Sequence, residues 1–105
     1  MRKSEYREPV LVLGAAGMLG RAVVEELTRL SLDVQPRTHA EVDLAHFETL
    51  EAGIPAGTGT VINCAAWTNV DAAESQEEAA TRVNGHAVGE LAARCRKVGA
   101  RLLHY

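Results

Sequence analysis

The sequence has few aromatic residues and no strong excess of charge of one sign. Aromatic residues make up 4% of the 105 residues, so the chain lacks the stacking platforms that bind single-stranded nucleic acids. Eleven basic residues are mixed with 14 acidic ones, for a net charge of -3, and they form no basic patch for nucleic acid or an anionic membrane. We therefore expect neither nucleic acid nor a membrane among the partners.

Cysteines are also few, and a long apolar run is missing near the amino terminus. Cys64 and Cys95 lie far apart without a CxxC partner, which indicates neither a zinc site nor a redox pair. We expect both to be apolar core residues in a reducing compartment, with no metal bound. No apolar stretch that could serve as the core of a signal peptide lies between the basic start of the chain and the first predicted strand. The sequence thus predicts a cytoplasmic protein, with a charged leader at residues 1–8 and one domain at residues 9–105.

The most informative stretch is an apolar run that leads into three glycines spaced three residues apart. Residues 10–13 are all branched and apolar, as in a strand buried on both faces of a parallel sheet. Gly14, Gly17 and Gly20 follow, and apolar residues then recur at helical spacing. In dinucleotide-binding turns, such glycines allow a sharp turn, close approach of a pyrophosphate and tight packing of the helix. A plain tight turn is the alternative, but the flanking strand and helix patterns favour dinucleotide binding.

The rest of the chain alternates strand and helix patterns. We predict strands at residues 10–13, 33–36, 60–64 and 101–105, and helices that end near residues 31, 52 and 98. Right-handed crossovers between such strands predict an α/β, Rossmann-type doubly wound parallel sheet. We expect about four strands in the order 3-2-1-4, in a domain that is incomplete at its carboxyl end. Gly85 and Gly89 lie inside the last helix, from which we expect close packing against a neighbouring element.

The chain resembles the amino-terminal part of bacterial dTDP-4-dehydrorhamnose reductases, which are extended short-chain dehydrogenase/reductases. The resemblance runs from about Val10 to Tyr105, and its most specific part is the AAWTNVDAAE segment at residues 65–74. The other matching motifs are GAAGMLG at residues 14–20, VDL at residues 42–44, VN at residues 83–84 and GARLLHY at residues 99–105. The resemblance implies an NADP-dependent oxidoreductase that transfers hydride from NADPH to a keto sugar in dTDP-rhamnose synthesis.

The resemblance also implies where the cofactor and a nucleotide sugar would bind. The residues implied to contact the cofactor are Gly14, Ala16, Gly17, Met18, Leu19, Gly20, Asp43, Leu44, Cys64, Ala65, Ala66 and Tyr105. By this resemblance the glycine turn would surround the pyrophosphate, Asp43 would flank the adenine and Cys64 would face the nicotinamide. Thr68 and Val70 would approach the sugar nucleotide, and Asn84 would brace the cleft.

The end of the second strand bears on the choice between NADPH and NADH. Arg37, Thr38 and His39 stand there, where an NAD-selective site carries an acidic residue for the ribose 2′-OH. Glu41, the nearest acidic residue downstream, comes a few positions later. Because a guanidinium can bind a phosphate with two charge-assisted hydrogen bonds, we predict that Arg37 binds the 2′-phosphate and that NADPH is preferred, with NADH as the second candidate. The alternative is that Arg37 faces solvent.

No catalytic residue is expected within these 105 residues. The resemblance implies a Ser or Thr and a Tyr-x-x-x-Lys pair further along the chain; Tyr6 precedes the sheet and Tyr105 has no lysine after it. The chain alone is therefore expected to bind a nicotinamide nucleotide weakly and to be inactive. The alternative function is a non-catalytic nucleotide-binding module similar to the regulatory subunit of methionine adenosyltransferase. We also expect a homo-oligomer that forms through the outer edge of the fourth strand.

Overall fold

The computed structural model describes residues 3–43, 46, 48–65 and 77–104, and of residues 77–85 it describes the backbone alone. A short 3-10 helix, Lys3–Glu5, precedes the first strand. The strands are β1 (Val10–Leu13), β2 (Val34–Arg37), β3 (Thr60–Asn63) and β4 (Arg101–His104), and the helices are α1 (Met18–Arg29), α2 (Glu48–Gly53) and α3 (Glu77–Val98).

The strands form a parallel sheet in the order β2-β1-β3-β4, which confirms the predicted Rossmann-type fold. At the centre, Leu11 is paired with Gln35 of β2 and with Val61 of β3. Counted along the chain the order is 2-1-3-4, where the sequence predicts 3-2-1-4. The difference arises because the connection through α2 crosses the face opposite α1, which brings β3 to the second side of β1 rather than to the outer side of β2.

Both faces of the sheet are buried, as the apolar runs predict. Alternate side chains of β1 point to opposite faces: Leu11 and Leu13 pack with α2 and α3, while Val10 and Val12 pack with α1. The buried core on the α2 and α3 face comprises Leu11, Leu13, Val42, Leu50, Ile54, Val61, Leu91 and Cys95. The buried core on the α1 face comprises Tyr6, Val10, Val12, Val23, Leu27, Leu32 and Ile62.

Residues 3–8 pack against the amino ends of the strands. The Arg7 backbone N–H donates to the Thr60 hydroxyl oxygen at 3.0 Å, and that hydroxyl donates to the Arg7 carbonyl at 2.8 Å. Arg101 of β4 donates to the Glu5 carbonyl at 3.1 Å, and the Tyr6 side chain is buried in the core on the α1 face. These residues contact the domain closely, while the boundary between leader and domain at residue 9 stays a prediction.

One packing prediction is wrong. Gly89 is exposed, and a Cβ there would have no described atom within 4 Å apart from its chain neighbours and the backbone of its own helix. The surroundings of Gly85 lie outside the described residues. Gly89 therefore does not mark a close contact between α3 and a neighbour.

No helix in the described part of the chain is both long and apolar enough to cross a bilayer.

The two cysteines are free thiols. Cys95 lies in the core, as the sequence predicts, and Cys64 is half-buried.

Candidate functional site

The turn after β1 is held between the ends of two neighbouring strands. Ala15 donates its backbone N–H to the carbonyl of Arg37, the last residue of β2, at 3.2 Å. On the other side, Cys64 donates its backbone N–H to the carbonyl of Leu13 at 3.0 Å. The predicted pyrophosphate turn is therefore located at the carboxyl edge of the sheet, where ligands of parallel α/β folds bind.

Two glycines of this turn are required by the packing of the protein itself. Gly14 has a φ of +72°, and a Cβ on it would lie 2.7 Å from the backbone nitrogen of Ala65. A Cβ on Gly20 would overlap the carbonyl of Gly14 and lie 2.9 Å from the Cα of Ala15. Gly20 thus allows α1 to approach the turn closely, which is the role that its spacing predicts.

Gly17 differs from these two glycines because the packing does not require it. Among the described residues, a Cβ on Gly17 would meet only the carbonyl oxygen of Gly14, at an ordinary 3.5 Å. Gly17 is the N-cap residue of α1, and within the part of the chain that the structure describes no side chain caps the helix there. The first N–H groups of a helix have no acceptor within it and carry partial positive charge, so they bind anions. The missing side chain at residue 17 leaves these groups accessible.

Large apolar side chains are exposed next to this helix start. Met18 is 91% exposed and Leu19 is 46% exposed, and both belong to the first turn of α1. Apolar side chains around a few polar donors are typical of sites for small molecules.

The Arg37 side chain links the end of β2 to the end of α2 by a hydrogen bond. Its Nε donates to the carbonyl of Gly53 at 3.1 Å, its Nη1 to the carbonyl of Pro36 at 3.2 Å and its Nη2 to Oε1 of Gln35 at 3.3 Å. Each guanidinium nitrogen thus has an acceptor within the protein. The role of Arg37 as a ligand of the 2′-phosphate stays a prediction, and such a contact would compete with these hydrogen bonds.

The Glu41 carboxylate lies at the end of β2, a position that was not predicted from the sequence. Oε1 of Glu41 accepts from the Thr38 backbone N–H at 3.1 Å and from the Thr38 hydroxyl at 3.2 Å. These hydrogen bonds, with a smaller effect of the Arg37 charge, lower the pKa of Glu41 below its ordinary value. The signal was present in the sequence, because Thr-x-x-Glu at residues 38–41 is the spacing of a capping box, in which the acidic side chain reaches back to the backbone.

Asp43, which is predicted to flank the adenine, pairs with two histidines. Its Oδ2 lies 2.8 Å from Nδ1 of His46 and 3.4 Å from Nε2 of His39. The Asp43 backbone N–H donates to the Thr49 hydroxyl oxygen at 2.9 Å. The hydrogen bond and the charge of Asp43 raise the pKa of His46. Within the described ranges, no three His, Cys, Asp or Glu side chains are placed so that they could hold a metal ion.

Asn63 braces the end of β3 and is a second residue that the sequence reasoning missed. It is 5% exposed; its Oδ1 accepts from the Ala65 backbone N–H at 3.0 Å, and its Nδ2 donates to Nδ1 of His104 at 3.2 Å. The signal was a polar residue at the end of an apolar strand, since buried polar groups need partners. Next to it, burial raises the pKa of the Cys64 thiol, which keeps it protonated at neutral pH.

The structure thus brings most of the predicted cofactor residues to one edge of the sheet. The glycine turn, the residues after β2 and the residues after β3 lie there together. The predicted residues outside the described part of the chain are Leu44, Ala66, Thr68, Val70 and Tyr105, together with the side chain of Asn84. The described part offers accessible backbone donors, a helix start and apolar side chains, an arrangement that can bind a dinucleotide.

Comparison with known proteins finds relatives that are named as reductases of dTDP-linked sugars. Residues 8–105 match the family described as the RmlD substrate binding domain. The chain is 43% identical over 95 residues to a dTDP-4-keto-6-deoxy-D-glucose reductase of Streptomyces niveus, which covers 90% of this chain and 33% of that protein. It is 44% identical over 97 residues to a dTDP-4-dehydrorhamnose reductase of Burkholderia thailandensis, over 91% of this chain and 32% of that protein. The chain therefore spans about a third of the length of the curated relatives it matches.

Solved structures agree with these relatives. The fold is similar to the crystal structure of dTDP-4-dehydrorhamnose reductase from Bacillus anthracis in complex with NADP, with a TM-score of 0.73 and 30% identity. The similarity covers 89% of this chain and 34% of that one.

Proposed function

Because the chain belongs to the RmlD substrate binding domain family, we propose that it forms the NADP-binding part of a nucleotide-sugar reductase. The observation that carries this proposal is the open start of α1 at Gly17, in a turn that contacts β2 and β3 on either side. The packing leaves room at Gly17 that a side chain would reduce, and this fits the close approach of a pyrophosphate. The similar dTDP-4-dehydrorhamnose reductase from Bacillus anthracis was solved in complex with NADP, which supports the same cofactor here.

In this proposal, the residues around the sheet edge have separate roles. Backbone N–H groups in the first turn of α1 bind the pyrophosphate, since the Gly17 N–H already donates to the Gly14 carbonyl at 3.1 Å. Met18 and Leu19 cover it with apolar surface, and Asp43 lies beside the adenine. Cys64 and Ala65 follow β3 and face the nicotinamide. The nicotinamide supplies the hydride when it is bound, and these residues position it and exclude water.

We further propose a dTDP-linked keto sugar as the substrate of the whole protein. The support is the names of the two curated relatives, one a dTDP-4-dehydrorhamnose reductase and the other a dTDP-4-keto-6-deoxy-D-glucose reductase. Thr68 and Val70 are proposed to contact this substrate. The alternative of a non-catalytic regulatory module has less support, because both relatives are named as reductases.

The location and the assembly of the protein belong to the same proposal. The two free thiols, Cys64 and Cys95, suit a reducing compartment such as the cytoplasm. Self-association through β4 is supported by its position in the sheet, since within the described residues β4 pairs on one side only, with β3. An unpaired strand edge can pair with a second copy.

Titration with NADPH tests the proposed cofactor site. We expect the protein to bind NADPH and Gly17→Ala to weaken binding about tenfold, as for the loss of one charge-assisted hydrogen bond. Gly89→Ala is the matched control, because it adds the same methyl group to an exposed position on α3, and it should bind as the unmodified protein does. No binding, or equal binding by the two variants, would contradict the proposal.

A further inference from the structure

The loop after β2 fixes a carboxylate on two hydrogen-bond donors. Oε1 of Glu41 accepts hydrogen bonds from the Thr38 backbone N–H at 3.1 Å and from the Thr38 hydroxyl at 3.2 Å. The loop is closed from the other side by the Thr38 carbonyl, which accepts from the backbone N–H groups of Glu41 and Val42 at 3.0 Å each. The Glu41 side chain is therefore bound to the first residue after β2, three positions back along the chain.

This place is where the adenosine ribose of a dinucleotide would lie. The carbonyl of Arg37 accepts from the Ala15 backbone N–H at 3.2 Å, so the end of β2 lies directly beside the glycine turn. In Rossmann folds, a carboxylate at the end of this strand accepts from the ribose 2′-OH. A 2′-phosphate in the same place would be repelled by that carboxylate, and the Thr38 donors that could bind its oxygens are already in use.

The nearby cation does not remove this conflict. Arg37 is the residue before Thr38, but its guanidinium donates to Gly53, Pro36 and Gln35. The hydrogen bonds from Thr38, with a smaller effect of the Arg37 charge, lower the pKa of Glu41, so the carboxylate is ionised at neutral pH. The negative charge at the end of β2 is therefore permanent under ordinary conditions.

We propose that Glu41 sets the preference between NADPH and NADH, as an internal competitor of the 2′-phosphate for the Thr38 N–H and hydroxyl. In the free protein, Oε1 of Glu41 occupies these donors. Oε2 of the same exposed side chain is left to accept from the ribose 2′-OH of NADH, whereas NADPH binds after Glu41 has left Thr38. This inference rests on the proposed function, since it concerns the same dinucleotide site.

The test compares Glu41→Gln with Glu48→Gln in titrations with NADPH and NADH. Both substitutions remove one exposed carboxylate, but Glu48 begins α2, and among the described residues the side-chain hydrogen bonds of Thr38 go to Glu41 and not to Glu48. Glu41→Gln should tighten NADPH binding about five- to tenfold without tightening NADH binding. Glu48→Gln should leave the ratio of the two affinities unchanged. The gain in Glu41→Gln should shrink at about 1 M salt, where charge repulsion is screened.

A measurement on the unsubstituted protein covers the case in which Glu41→Gln disturbs the loop. Adenosine 2′,5′-bisphosphate should raise the pKa of Glu41 in an NMR titration, because the carboxylate loses Thr38 and gains an anionic neighbour. Adenosine 5′-monophosphate, which lacks the 2′-phosphate, should not raise it.

The outcomes separate this inference from the proposed function. If the protein binds NADPH but Glu41→Gln leaves the NADPH to NADH ratio unchanged, the role of Glu41 is wrong and the cofactor site stands. If the pKa of Glu41 responds equally to both adenosine nucleotides, the competition for Thr38 is wrong. If the protein binds neither dinucleotide, the proposed function fails and this inference fails with it.

Discussion

Gly20 and Gly89 differ in what lies where a side chain would begin. A Cβ on Gly20 would overlap the backbone of the glycine turn, whereas a Cβ on Gly89 would meet no described atom within 4 Å beyond its chain neighbours and its own helix backbone. Gly20→Ala should therefore lower the free energy of unfolding by about 2 kcal/mol. Gly89→Ala should raise it by about 0.5–1 kcal/mol, because glycine inside a helix has a higher entropy cost than alanine. Urea unfolding midpoints measure both, and shifts of the same sign would contradict the prediction.

The pairing of His46 with Asp43 should appear in the pH dependence of stability. The folded-state pKa of His46 is raised above its ordinary 6.5 by the hydrogen bond to Asp43 and by its charge. The stabilising effect is therefore fully present below about pH 6.5 and is lost as the pH rises through the raised pKa.

NMR titration of the His46 ring checks this prediction. In the unsubstituted protein the ring should titrate above its ordinary pKa, and in Asp43→Asn the pKa should fall back towards that value. An unchanged His46 pKa in Asp43→Asn would show that Asp43 does not stabilise the charged ring.

Single side chains were harder to predict from the sequence than the glycine turn. The roles of Gly14 and Gly20 follow from backbone sterics, which the three-residue spacing encodes directly. Glu41 and Asn63 act through hydrogen bonds to backbone or distant groups, and these depend on the path of the chain after each strand. Glu41 follows the end of β2 by four positions in the sequence, so the sequence alone did not assign it to the strand end. Its side chain nevertheless reaches back to Thr38, the first residue after β2.

The short helix α2 depends on an arginine from another element. It has six residues, fewer than a helix needs to be stable alone in water. Arg94 of α3 donates to the carbonyl of Ile54 at 2.9 Å and to that of Glu51 at 3.0 Å. These bonds satisfy carbonyl groups at the carboxyl end of α2, where a positive charge is also favourable.

Replacing Arg94 should therefore loosen the packing of α2 on α3. We expect Arg94→Gln to lower the free energy of unfolding by about 1–2 kcal/mol, as for hydrogen bonds from a charged group. Arg96→Gln is the control, because Arg96 is exposed on the same helix and its substitution removes the same charge. Chemical denaturation of both variants gives the comparison, and equal losses would show that the contacts with α2 are not responsible.

At the level of elements, the sequence predicted which segments form strands and helices better than it predicted their neighbours. Strands β1, β3 and β4 lie within one residue of the predicted bounds. Short buried runs identify β1 and β3, and the two leucines that follow Gly99 identify β4, which is only half-buried. β2 lies one residue later than predicted, since Pro36 interrupts its pattern. The place of β3 beside β1 depends on which face of the sheet the connection crosses, and no local pattern of side chains states this.

Residues 3–8 connect several strands at the amino ends of the sheet. Tyr6 is buried beside Val10 and Leu27 in the core on the α1 face. Tyr6→Ala should lower the free energy of unfolding by about 3 kcal/mol, because it removes a buried aromatic ring from a packed core. Tyr6→Phe keeps the ring and should have a smaller effect. Thermal or urea unfolding distinguishes them, and a near-neutral Tyr6→Ala would show that this segment contributes little to the fold.

The two ends of the sheet therefore differ across the whole molecule. At the amino ends, residues 3–8 are joined to β3 and β4 by hydrogen bonds, so substitutions there should change stability and leave cofactor affinity alone. At the carboxyl ends lie the open helix start and the acidic loop of Glu41, where substitutions should change affinity. This division follows from parallel strands, which place all their carboxyl ends on one edge.

The attachment of the glycine turn to β2 and β3 also bears on the thermodynamics of binding. Its backbone is fixed on one side by the Arg37 carbonyl and on the other by the close approach of Ala65. A ligand that docks there meets donors that are already preorganised, so little conformational entropy is lost in ordering this part of the chain. The turn should accordingly keep one shape in the free and the bound protein.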